Sequence, residues 1–164
     1  MTAYTASEWS DLFVATAGAS AALTGLLFVA VSINLERILS IDGLPERALA
    51  TMTLLLGVVL VSIIGLIPGQ STSALGAELL VESIVATVAV GVLVARSRPG
   101  PGEPRSWLYS RVFLAAIGTV PFVIGAVSII TETGGGLYWV AAGIIGAVFG
   151  GVANAWVLLV EILR

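Results

Sequence analysis

Cysteine, histidine and lysine are all absent from the 164-residue chain. Without cysteine there is no disulfide and no thiol redox chemistry. Without histidine, haem ligation by imidazole, the ordinary zinc sites and every catalytic triad with a histidine base are excluded. Without lysine, all 7 basic residues are arginine. Charge itself is scarce, at 10% of residues and a net −3, where a soluble domain carries about 25%. So few charges cannot coat a water-exposed surface. Apolar residues take their place, at 58% of the chain and a mean hydropathy of +1.09.

A membrane helix needs about 20 largely apolar residues to cross a hydrocarbon core of about 30 Å. Five runs meet that requirement: Leu12 to Ile33, Ala48 to Ile67, Leu75 to Ala95, Leu108 to Ile130 and Leu137 to Leu163. Residues 1–164 are therefore expected to form a single all-α domain, a polytopic bundle of five transmembrane helices. Turn chemistry separates the runs. Asp42-Gly43-Leu44-Pro45 supplies a turn and then a proline suited to a first helical turn, and Pro68-Gly69-Gln70-Ser71 ends the second run. Three prolines between Pro99 and Pro104 forbid helix there, and Thr133-Gly134-Gly135-Gly136 makes the last turn. Such short connections predict antiparallel neighbours. The first run reads as a retained helix and not as a cleaved signal, since Glu8 and Asp11 precede it and no basic residue does. Thr5 and Glu8 have the spacing of a capping box.

Arginine placement sets an expected orientation, because cytoplasmic loops collect basic residues. Arg37 and Arg47 flank the first loop, Arg96, Arg98, Arg105 and Arg111 flank the third, and Arg164 is the last residue. The amino terminus is thus expected outside and the carboxyl terminus in the cytoplasm. Interfacial aromatics agree, with Tyr4, Trp9, Tyr138 and Trp139 at the outer level and Trp107 and Tyr109 at the inner one.

At about 100° per residue, small residues line up on three of the helices. Ala15, Gly18, Ala22, Gly25 and Ser32 share a stripe on the first. Gly118, Pro121, Gly125 and Ser128 share one on the fourth, with Arg111 on the same line, and Gly143, Gly146, Ala147, Gly150 and Asn154 one on the fifth. Small residues let helix backbones approach closely in lipid, so these stripes predict helix packing within the chain, with subunit contact or a ligand path as the alternatives. Asn154, an amide inside the fifth span, reads as interhelical glue. Asn34, Glu36, Arg96, Arg111 and Glu161 form an expected cytoplasmic ion-pair cluster.

Glu78 and Glu82 stand four apart on one face of the third span. From Ser83 to Ala95 the apolar stretch covers only about 20 Å at about 1.5 Å per residue, so Glu82 must lie below the outer surface. A charge at membrane depth costs about 2.5–3.5 kcal/mol on insertion scales and faces a partner or a wet cavity. Glu82 would then be protonated, hold a cation, or face a water-filled vestibule. The plainer alternative is relief by the helix dipole in the first turns, with snorkelling to the surface. Glu78 and Glu82 are the ion- or proton-site candidates.

The block from Leu12 to Asn34, and more loosely Pro68-Gly69-Gln70 and Glu78-Leu79-Leu80, resembles small five-helix integral membrane proteins of actinobacterial type. The resemblance implies a multi-pass protein of a bacterial inner membrane and brings no activity with it. With no cysteine, histidine or paired aspartates, no enzymatic chemistry, metal or other cofactor is expected, and the negative net charge speaks against nucleic acid. The expected partners are lipid and either further copies of the chain or another membrane protein. Two functions follow: a homo-oligomeric channel or transport-type protein with an acidic site, or a non-catalytic accessory or scaffolding subunit of a larger membrane complex.

Overall fold

The computed structural model describes residues 2–97 and 106–163, without the side chains of 106–107 and 161–163. Arg98, Arg105, Arg164 and the side chains of Trp107 and Glu161 lie outside that description. The chain is all-helical: α1 (Ser10–Ile33), a short α2 (Leu35–Leu39), α3 (Leu44–Gly65), α4 (Thr72–Arg96), α5 (Ser106–Thr131) and α6 (Leu137–Leu163). Five of these are long and apolar enough to cross a membrane. All but α6 extend past the apolar runs at one end or both, because polar residues and caps join the terminal turns. Gly43 at φ 79° provides the left-handed residue before α3, with Pro45 in its first turn. The Ser71 hydroxyl accepts the Ala74 N–H and starts α4 three residues before Leu75.

Helix α3 is the hub. It packs against α1, α4 and α6, while α4 packs on α5 and α5 on α6. Helices α3 to α6 therefore close a four-helix ring, and α1 leans on the outside of α3. Burial follows this order: 56% of the apolar window of α3 is buried against 17% for α1 and for α4. One core cluster, around Phe13, Val61, Leu79, Phe122 and Val140, fills the end that carries the amino terminus. A second, around Leu27, Ile38, Leu44, Leu55 and Leu158, fills the opposite end.

The stripe on α6 packs as expected. Cβ atoms built at Gly143, Gly146 and Gly150 would meet the Phe122 ring, the Ile117 carbonyl and the Leu114 carbonyl of α5. Its counterpart on α5 joins in, Gly118 facing Ala147 and Gly125 facing Val140. The packing expected of Gly18, Ala22 and Gly25 on α1 is not found: all three are exposed, and nothing described comes within 4 Å of a Cβ at Gly18 or Gly25. Helix α1 turns its opposite face to α3. Phe13 fits over Gly65, Thr16 bonds Ser62 at 2.9 Å, and Ser20 and Leu27 are buried. Burying the Phe13 ring removes far more apolar surface than burying a glycine, which decides between two faces of equal periodicity.

At the amino-terminal end the expected capping box does not form. Ala6–Trp9 is a 3-10 turn to which Thr5 gives no side-chain cap. The segment is tied instead through its aromatics. Trp9 donates to the Thr2 carbonyl at 2.7 Å and stacks edge-on with Tyr138 at 4.9 Å, and the Tyr4 hydroxyl accepts the Gly135 N–H. Gly136, at φ 48°, lies directly under Ala3 and Tyr4, where any side chain would collide. The four aromatics grouped by sequence, Tyr4, Trp9, Tyr138 and Trp139, do share one end.

Candidate functional site

Helix α4 begins at Thr72, so Glu78 is its seventh residue and Glu82 its eleventh. At about 1.5 Å per residue, Glu82 sits about 15 Å from the helix start and about 21 Å from Arg96. That is the middle of the helix, beyond the first turn in which the dipole acts. The dipole therefore relieves Glu82 little.

Glu78 is exposed and accepts a hydrogen bond from Gln70 Nε2 at 2.6 Å. Glu82 is half-buried and reaches toward α3, where its Oε1 comes within 3.3 Å of the point a Cβ at Gly57 would occupy. Its Oε2 is shielded from solvent and has no hydrogen-bond partner among the described residues. Both carboxylates line an open depression of about 440 Å³ with Ile64, Ala77 and Val81. Apart from the two carboxylates the depression is apolar, so Glu82 has no donor at hand to replace the water it has lost.

Beside this site, at the amino-terminal end, lies a cavity of about 500 Å³ between the amino-terminal turns and the α3–α4 connection. Tyr4, Ser7, Ser10, Gln70 and Thr72 give it polar walls. Gln70 links the two spaces, since it lines the cavity and donates to Glu78. Sequence patterning pointed to the glutamates and missed both Gln70 and Gly57. A loop glutamine beside a turn and a glycine within an apolar helix carry no periodic signal.

For the expected cytoplasmic cluster, the described bonds of its members run to residues outside it. Arg111 donates to the carbonyl and the hydroxyl of Ser97 at 3.1 and 3.0 Å, and the Ser97 hydroxyl donates to the Gly43 carbonyl. This ties the end of α4 to the start of α3. Buried Asn154 accepts from Arg47 at 3.4 Å, a long contact that joins α6 to α3. Asn34 bonds back to the Ala30 carbonyl of its own helix, and Glu36 and Arg96 are exposed. Ser97 and Arg47 are the members that patterning missed, because the loops and not the spans decide which helix ends meet.

Among the described residues no group of three or more histidine, cysteine, aspartate or glutamate residues is placed to hold a metal ion. The class defined by this fold is a small, all-helical protein with five helices long and apolar enough to cross a membrane. Comparison with protein families, with curated proteins and with solved structures gives no match.

Proposed function

We propose that this is a small transport-type protein of a bacterial inner membrane, in which Glu82, with Glu78 above it, forms an acidic site open to the outer side. The observation that carries the reading is the Glu82 carboxylate, set in mid-helix with one oxygen buried and unpartnered. An ionisable group kept at membrane depth at a cost of several kcal/mol is a functional candidate by default. The polar cavity at the amino-terminal end lies beside it, linked through the Gln70–Glu78 hydrogen bond. In this reading the end holding Arg37, Arg47, Arg96 and Arg111 faces the cytoplasm, as the bias of basic residues requires. Reconstituted into liposomes with a pH or ion gradient and an internal dye, the protein is expected to conduct, and Glu82→Gln to abolish the flux. Flux in the Gln variant equal to that of the unsubstituted protein ends the assignment.

A second reading, an accessory subunit or a homo-oligomer, rests on a different observation. The small-residue face of α1 is exposed on the side away from α3, and such faces are where membrane helices approach one another. Gly18→Leu fills that face at a position where an added Cβ meets nothing described within 4 Å. The variant is expected to lose the partner that copurifies after mild solubilisation, whether a second copy or a foreign subunit. An assembly indifferent to Gly18→Leu removes the α1 face from the interface.

A further inference from the structure

The depression around Glu82 says what it can hold. A hard cation such as Ca²⁺ takes 6 to 8 oxygen ligands and Mg²⁺ near-octahedral geometry, in both cases about six oxygens or more. Glu82 offers one carboxylate, and the walls beside it are Ile64, Ala77 and Val81. The second carboxylate, Glu78, lies one turn nearer the helix start and is engaged by Gln70. Among the described residues no basic side chain lies near. Of the helices packed against α4, the described part of α3 carries only Glu46 and Arg47 as charged groups, and that of α5 only Arg111. Arg47 is ten residues from Gly57, about 15 Å along α3. Arg111 is bonded to Ser97 at the far end of α4. Arg96, on α4 itself, is about 21 Å away.

The carboxyl is nevertheless held in a defined place. Gly57 of α3 is buried and lacks a side chain where Oε1 arrives, so the glutamate rests on helix backbone. A Cα–H group there is a weak donor at most, too weak to neutralise an anion. We infer that the ligand of Glu82 is a proton, and that Gly57 is the notch that positions the carboxyl to take it. This rests on the reading of Glu82 as the acidic site and names its substrate. One proton on one oxygen removes the charge, which is all that a single carboxyl among apolar walls requires.

A hydrophobic carbodiimide tests this on the full chain in micelles or liposomes. The O–H of a carboxylic acid adds across one N=C bond of the reagent, and the acyl group then shifts from oxygen to nitrogen. The product is a stable N-acylurea, formed by addition with no leaving group and no redox change. Because the reagent needs the acid form in an apolar setting, mass mapping should find it on Glu82 at neutral pH and not on exposed Glu78. Labelling should disappear at alkaline pH, be absent in Glu82→Gln, and be unmoved by Na⁺, K⁺, Mg²⁺ or Ca²⁺ at fixed pH. Gly57→Ala places a methyl against the flexible end of Glu82, which can swing aside without unfolding the bundle, so labelling should fall while elution from size exclusion stays unchanged. Protection by any of the cations, or no labelling at any pH, overturns the proton assignment. Labelling of Gly57→Ala equal to that of the unsubstituted protein overturns the notch. Labelling needs no transport, so a labelled Glu82 with flux indifferent to Glu82→Gln would leave the proton site standing and remove the transport role alone.

Discussion

Gly146→Ala is expected to be the most damaging single-methyl change along the α5–α6 seam. The added Cβ would collide with the Ile117 carbonyl oxygen and stand 2.8 Å from its carbon, both backbone atoms that no rotamer change can move. The close approach has a cause in the sequence of α5. Pro121 has no N–H to give the carbonyl four residues earlier, which is that of Ile117, so this carbonyl is left without its intrahelical donor. Gly146 lets the α6 backbone come up to it, so that Cα–H contacts replace part of what the proline removed. Alanine forces α5 and α6 apart along a seam that also holds Gly118, Gly125, Gly143 and Gly150. Overpacking of this kind costs about 1–3 kcal/mol, and a rigid neighbour puts it at the upper end. Gly25→Ala is the control, because nothing described lies within 4 Å of its added Cβ; a surface change of that sort stays within about 0.5 kcal/mol. Thermal unfolding in micelles should show a clear loss for Gly146→Ala and almost none for Gly25→Ala. Equal shifts in the two variants would contradict the α5–α6 seam.

Glu82→Leu is expected to act in the opposite direction, making the protein more stable while flux is lost. The carboxylate is desolvated on one oxygen and unpaired there, and leaving such a group buried costs about 1–3 kcal/mol. Leucine has similar bulk, has no polar atom to leave unpartnered, and finds Ile64, Ala77 and Val81 around it. The expected gain is therefore about 1–3 kcal/mol in an unfolding titration. Such an exchange of stability for activity is usual where a functional group sits in an unfavourable place. A leucine variant less stable than the unsubstituted protein would mean that the carboxylate makes a favourable contact, and the reading of its lone oxygen would fall.

Much of the fold could be read from the chain alone, because lipid imposes few alternatives. Runs of about 20 apolar residues must be helices, since every backbone group has to be satisfied within its own segment. Turns at Asp42-Gly43 and at Thr133-Gly134-Gly135-Gly136 are written in residues that tolerate left-handed backbone. Glu78 and Glu82 stood out for the same reason, as charges where the solvent disfavours charge.

Which faces meet was a different matter. The stripes on α1 and α6 are equivalent by periodicity, yet one closes against α5 and the other faces outward. The choice depends on Phe13 finding Gly65 and on Thr16 finding Ser62, residues some 46 to 52 positions away. Likewise, Gly57 became part of the Glu82 site only through the register of α3 against α4. Composition and hydropathy determined five helices apolar enough to cross a membrane and the acidic pair on one of them, because transfer from water to lipid depends on each segment by itself. Only the tertiary structure decided which glycines are seams, which side of α1 is left open and where the Glu82 carboxyl rests, because those depend on shape matched between segments that the sequence lists far apart.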